Sequence, residues 1–96
     1  MVDNKMTLLT PHNYYSWKTS MVDLLRSKGL YSVTIRTETK PTREFDKAKW
    51  LNRCDEAQGL ISILVSEELK FHIQDLESPN ESWEKLKSLF RNTNVI

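Results

Sequence analysis

The sequence contains one cysteine, two glycines and three prolines among its 96 residues. The lone cysteine, Cys54, has no internal partner for a disulfide, which is typical of proteins kept in a reducing compartment. So few glycines and prolines argue against a β fold with many tight turns. No run reaches the ~20 apolar residues that a membrane span requires, and the N-terminus lacks the apolar core of a signal peptide. We therefore expect an intracellular, cytoplasmic protein with no membrane partner.

Neither sign of charge dominates, since 14 basic and 13 acidic residues leave a formal net charge of +1. With 39% hydrophobic and 28% charged residues, the composition is typical of a single globular domain. The charge is unevenly placed along the chain. Residues 36–53 hold six basic and three acidic residues, whereas residues 55–81 hold seven acidic residues and one lysine. This asymmetry indicates two regions that could attract partners of opposite charge.

Apolar spacing and capping residues predict an all-α fold, a small orthogonal bundle of about four helices. The first helix either follows Thr10-Pro11 or begins at Tyr14 with Asn13 as its cap, and it ends before Gly29. The other three helices are predicted to begin near residues 42–45, after Ser66 and after Ser78.

The stretch from Trp50 to Val65 is predicted to belong to the central helix. Its last residues are apolar on nearly every side, which is typical of a helix enclosed by others. Gly59 costs ~1 kcal/mol relative to alanine, so its expected use is the close approach of a neighbouring helix. Residues 30–35 alternate as a strand does but lack a partner strand. We therefore predict an extended connector after the first helix.

The apolar faces of the first, central and last helices define the predicted core. Residues 10–91 are expected to form the folded domain, with a flexible leader at 1–9 and a frayed tail at 92–96. The alternative for the leader is that Met6, Leu8 and Leu9 fold back onto the domain. The three tryptophans are expected to meet inside the bundle. The predicted core residues are Tyr14, Trp17, Met21, Leu24, Trp50, Cys54, Ala57, Ile61, Leu64, Trp83, Leu86 and Phe90.

Candidates for catalysis or metal binding are scarce. His12, His72 and Cys54 lack the paired spacing of a zinc site, and Cys54 lies on the apolar stripe, which favours a packed thiol over a nucleophile. Adjacent acids at 55–56 and 67–68 do not converge on one point of a helix surface. The sequence also lacks a glycine-rich phosphate loop and the GxSxG and HExxH motifs. We expect no enzyme activity, catalytic residue, metal, cofactor or small-molecule substrate.

The basic segment at 36–53 is the candidate contact surface. Clustered cations attract phosphates, so weak RNA binding is one interpretation. Contact with a partner protein is another, and a solvated helix edge is the third. The residues concerned are Arg36, Lys40, Arg43, Lys47, Lys49 and Arg53.

Two groups of residues share their order and spacing with a known family. The first group is Leu9-x-x-x-Asn13-Tyr14-x-x-Trp17, followed by apolar residues at 21 and 24–25. The second group is Trp50, Ala57 and Ile61, then Trp83-x-x-Leu86-x-x-x-Phe90. Over residues 8–91 the pattern resembles the N-terminal part of the Gag polyproteins of copia-type LTR retrotransposons. It departs from that family at Pro11, where a glycine is common, and in lacking a Cys/His zinc knuckle.

The resemblance implies a helical module similar to an N-terminal capsid domain, which associates with copies of itself into particles. It implies structural roles for the matching residues and no catalytic set. The charge asymmetry would suit contact between the basic 36–53 region of one copy and the acidic 55–81 region of another. One alternative is a host-retained adaptor that binds a peptide or partner protein in a groove between helices. Weak RNA binding through 36–53 is the second alternative.

Overall fold

The computed structural model describes residues 6–91, and within that range the chain is helical with no strand. One isolated parallel bridge joins Leu9 to Val65. The predicted all-α class is therefore confirmed, although two of the helices are single turns. The helices are α1 (Tyr14–Ser27), α2 (Tyr31–Thr34), α3 (Glu44–Ile63), α4 (Glu67–Lys70) and α5 (Pro79–Arg91).

Helix α1 begins at Tyr14, the second of its two predicted starts. Asn13 occupies the cap position, but its side chain bonds backwards along the chain. Its Oδ1 accepts the Thr10 N–H at 2.8 Å, and its Nδ2 donates to the Leu8 carbonyl at 2.9 Å. Asn13 therefore fixes the segment that enters the helix. At the other end Gly29 has φ +70°, a left-handed conformation that costs glycine little.

The extended connector predicted after the first helix is wrong, because residues 31–34 form the helical turn α2. A helical turn places Leu30, Val33 and Thr34 on one face, and all three are buried. The Thr34 hydroxyl donates to the Leu30 carbonyl at 2.8 Å, and Asn80 Nδ2 donates to the Thr34 carbonyl at 3.0 Å. The strand-like alternation concealed a short i, i+3, i+4 pattern that packs against α3 and α5.

Helix α3 is central, but only one of its faces is covered. It buries Cys54, Ala57 and Ile61 against the neighbouring helices. The expected enclosure of its apolar end on all sides is wrong, because the side chain of Ile63 is 64% exposed. The expected close approach at Gly59 is also wrong, because a Cβ there would meet no atom within 4 Å.

The structure buries nine of the twelve predicted core residues and leaves three partly buried at the edge of the core: Leu24, Trp50 and Leu64. The rings of Trp17 and Trp83 lie 6.0 Å apart at its centre. The rings of Tyr14 and Phe90 stack at 4.8 Å. The buried apolar residues absent from the prediction are Leu9, Leu25, Leu30, Val33, Val65 and Ile73.

The segment before α1 belongs to the fold from Met6 onward, in contrast to the predicted leader. Leu9 is fully buried, and its N–H donates to the Leu64 carbonyl at 2.8 Å. In return the Ser66 N–H donates to the Leu9 carbonyl at 3.0 Å. These two bonds fix the segment at the junction between α3 and α4. Residues 1–5 of the predicted leader and the predicted tail at 92–96 lie outside the described residues.

The two glycines lead to opposite predictions. Gly59→Ala is expected to raise the free energy of unfolding by about 0.5–1 kcal/mol, because alanine loses less backbone entropy in a helix and its methyl group meets open space. Gly29→Ala is the matched control. It is expected to lower the free energy of unfolding by about 1–2 kcal/mol, because Gly29 has φ +70°, a left-handed conformation that is unfavourable for alanine. Urea unfolding of dilute protein followed by circular dichroism measures both. A destabilised Gly59→Ala would contradict the open space.

Candidate protein-interaction surfaces

A cleft of about 620 Å³ lies between α3 and the start of α5. Trp50, Leu51 and Cys54 line its α3 side, and Pro79 lies on the α5 side. We call it the Trp50 cleft. Its rim is mainly acidic, and Arg36 is the cation among its lining residues. The charged side chains around the cleft are those of Arg36, Asp55, Glu77 and Glu81.

Trp50 lies at the meeting point of several surface depressions and does not join the other two tryptophans in the core. Besides the Trp50 cleft, it lines a depression with Arg36 and Lys40 and another with Lys49. Its indole N–H donates to the Glu38 carbonyl at 3.2 Å. The loop between α2 and α3 therefore passes close to the indole and fixes its plane. The prediction that three tryptophans meet inside the bundle is wrong for this one.

An ion pair holds the loop between α2 and α3 against the body of the protein. Arg53 donates from one guanidinium nitrogen to a Glu38 carboxylate oxygen and from another to the Gly29 carbonyl at 2.7 Å. The other Glu38 oxygen accepts the Ser32 hydroxyl at 2.9 Å. The hydrogen bonds from Arg53 and Ser32 lower the pKa of Glu38 below its ordinary value of 4.5. Arg53 thus has a structural role, and its contact with RNA or a partner stays a prediction.

The lowered pKa of Glu38 predicts a loss of stability in acid. A carboxylate with a depressed folded-state pKa stabilises the fold above its unfolded pKa, and that contribution disappears as pH falls through the folded value. The free energy of unfolding of the wild type is therefore expected to fall more steeply below pH 4.5 than that of Glu38→Gln. Urea titrations from pH 7 to 3 measure both slopes. Glu67→Gln is the control, since Glu67 is 95% exposed, and equal slopes for all three proteins would contradict the ion pair.

Three of the other basic candidates have partners close by in the chain. Arg43, at the cap position of α3, pairs with Asp46 at 3.8 Å, and within the helix Lys47 pairs with Glu44 at 3.1 Å. The Lys49 ammonium lies 4.6 Å from the centre of the Phe45 ring. Arg36 and Lys40 lie on the loop beside Trp50. Local acids therefore offset part of the positive charge, and weak RNA binding remains a prediction.

The outward face of α3 carries a second candidate surface, which sequence reasoning missed. Six exposed residues follow one another at spacings of four, three, four, three and four. Its two ends are apolar, since Phe45 is 69% exposed and Ile63 is 64% exposed. The helical spacing of these residues was the available signal, but the sequence prediction applied that spacing only to the buried face of the helix. The α3 outer stripe consists of Phe45, Lys49, Asn52, Glu56, Gly59 and Ile63.

Within the described part of the chain, we looked for a reactive nucleophile and for metal-binding side chains. Cys54 is a buried free thiol whose pKa is raised mainly by its burial, so it is a poor nucleophile at neutral pH. Between residues 6 and 91 no group of three His, Cys, Asp or Glu side chains could hold a metal ion. None of the helices in that range is both long and apolar enough to cross a bilayer.

No family model matches the chain, and no curated protein or solved structure matches it.

Proposed function

We propose that this protein is a non-enzymatic module that associates with copies of itself, as the capsid regions of copia-type Gag proteins do. The observation that carries the proposal is the α3 outer stripe. The longest helix of the fold leaves a full-length face in solvent, with Phe45 and Ile63 exposed at its ends. Apolar side chains at both ends of an uncovered helix face can be buried against a second molecule, and phenylalanine is enriched at protein interfaces. The resemblance of residues 8–91 to Gag sequences is the second support.

Sedimentation velocity across a range of protein concentrations tests the proposal. We expect the weight-average sedimentation coefficient of the wild type to rise with concentration. The double variant Phe45→Ser and Ile63→Ser should remain monomeric. Phe71→Ser is the matched control, because Phe71 is 61% exposed and lies outside α3, and it should behave as the wild type. A wild type that stays monomeric at high concentration and low salt would overturn the proposal.

The second candidate function is an adaptor that binds a peptide in the Trp50 cleft. The cleft favours it because apolar and mainly acidic side chains line it together, which suits a basic peptide with one apolar anchor. A pull-down should then return one partner protein that Leu51→Ser no longer binds. Leu8→Ser is the control, because Leu8 and Leu51 are both 45% exposed. Recovery of the protein's own copies alone would count against the adaptor.

A further inference from the structure

The α3 outer stripe has the spacing of a coiled-coil seam. Alternating steps of four and three residues place side chains along one line of a helix, which is the line along which two helices pack in a coiled coil. The two end positions of this line, Phe45 and Ile63, are apolar as in a coiled-coil seam, and the four between them are polar or glycine. All six positions are exposed, so none of the other helices between residues 6 and 91 covers the seam. The helix has 20 residues and is therefore about 30 Å long. The seam runs along nearly the whole of that length.

Charge is divided between the two halves of α3. Within the helix, residues 44–53 contain three basic and two acidic residues, whereas residues 54–63 contain two acidic residues and no basic residue. Two such helices packed in parallel would place like charges together. Packed antiparallel, the basic half of each lies against the acidic half of the other, and the two helix dipoles also oppose each other. The charge pattern of α3 is therefore self-complementary when the two helices are antiparallel.

We infer that two copies of this protein pair through α3, antiparallel and about a two-fold axis, with Phe45 of each copy against Ile63 of the other. The inference rests on the proposed function and specifies its interface. A two-fold contact repeats every interaction, so one self-complementary face is sufficient. This geometry differs from a head-to-tail contact, which would build open chains of molecules.

The same register fits the inner positions of the seam. With Phe45 level with Ile63 of the second copy, Lys49 lies level with Gly59 and Asn52 lies level with Glu56. The long lysine side chain thus faces the position where a Cβ would meet open space. Lys49 and Glu56 of the second copy are offset by three residues, about 4.5 Å along the axis, which the two flexible side chains can span. Each dimer would contain two such ion pairs.

The expected dimer is weak and reversible. A single pair of 20-residue helices buries less than the about 800 Å² per partner of a stable interface. Its inner layers are polar, which favours register over affinity. Dimerisation should therefore depend on protein concentration and weaken as salt rises, because exposed ion pairs are screened.

Charge reversal tests the geometry, because a two-fold contact predicts an outcome that a simple loss of charge does not. Lys49→Glu and Glu56→Lys should each weaken homodimerisation by at least about tenfold, since each dimer then contains two like-charged pairs. An equimolar mixture of the two variants should form a heterodimer with near wild-type affinity, because both pairs become opposite in charge again. Lys85→Glu on α5 is the control and should leave dimerisation unchanged. Circular dichroism verifies that every variant is folded.

Sedimentation velocity of the single variants and of the mixture separates the possible results. Weak homodimers that recover on mixing support the antiparallel pairing of α3. If the wild type associates but the charge variants and their mixture behave as it does, the α3 pairing is overturned and the proposed self-association stands. If the wild type is monomeric under all conditions, both proposals are overturned.

Discussion

Replacing Trp17 with alanine is expected to lower the free energy of unfolding by about 3–5 kcal/mol. The Trp17 side chain is almost fully buried, and its ring lies 6.0 Å from that of Trp83, between α1 and α5. Removing the indole leaves a large cavity that the surrounding helices cannot close. A domain of this size has a total stability of about 5–15 kcal/mol, so the loss is a large share of that total and the urea midpoint of the variant should be clearly lower.

Trp17→Phe separates packing from hydrogen bonding at the same position. The indole N–H donates to the Leu64 carbonyl at 2.9 Å, but that carbonyl also accepts the Leu9 N–H at 2.8 Å. Because the acceptor keeps one partner, phenylalanine is expected to cost about 1–2 kcal/mol, clearly less than alanine. Urea unfolding followed by circular dichroism measures both variants. Equal losses for the two would show that the hydrogen bond, and not the packed ring, carries the stability.

Helix starts that have a polar capping residue could be predicted from the sequence, because the residues that stabilise such a start are neighbours in the chain. Ser78 precedes Pro79, and its hydroxyl accepts the N–H groups of Asn80 and Glu81 at 3.1 and 3.3 Å. Proline needs no N–H partner in the first helical turn, so α5 begins where these residues indicate. The apolar face of α5 follows from the same period, with Trp83 and Leu86 buried.

Helix α2 could not be predicted in the same way, because its stability comes from distant residues. A four-residue helix is unfavourable in isolation. Here the Thr34 carbonyl accepts a bond from Asn80, 46 residues later in the chain, and the Arg53 guanidinium bonds the Gly29 carbonyl just before the turn. Neither contact can be inferred from the sequence of residues 30–35. The strand-like alternation therefore predicted an extended conformation where the chain is helical.

The candidate surfaces depend on which face of α3 is covered, and periodicity alone left that open. Trp50 shares the apolar stripe of Ala57 and Ile61, which predicted full burial. The buried residues of α3 begin at Cys54, one turn after Trp50, so the indole lies at the edge of the core and donates to the loop carbonyl of Glu38. Phe45 is exposed for a different reason, because it lies on the outer face of α3. The sequence gives the period of the seam, whereas its exposure is a property of the assembled bundle.

The segment before α1 carries the second large prediction, since Leu9→Ala is expected to lower the free energy of unfolding by about 2–4 kcal/mol. Leu9 is fully buried in the core cluster. Its backbone bonds to Leu64 and Ser66 remain possible in the variant, so the loss should reflect the deleted side chain and its cavity. Urea unfolding followed by circular dichroism measures the change.

The neighbouring residue supplies a strict control for Leu9. Leu8→Ala removes the same atoms from a side chain that is 45% exposed, and it is expected to change the free energy of unfolding by less than about 1 kcal/mol. The ratio of the two losses tells whether residues 6–9 are a structural part of the bundle or a loosely attached leader. The bridge from Leu9 to Val65 holds the segment after α3 in place, so a loosely attached leader would also leave that segment less constrained. Similar small losses for both variants would restore the leader interpretation and place the start of the domain after Leu9.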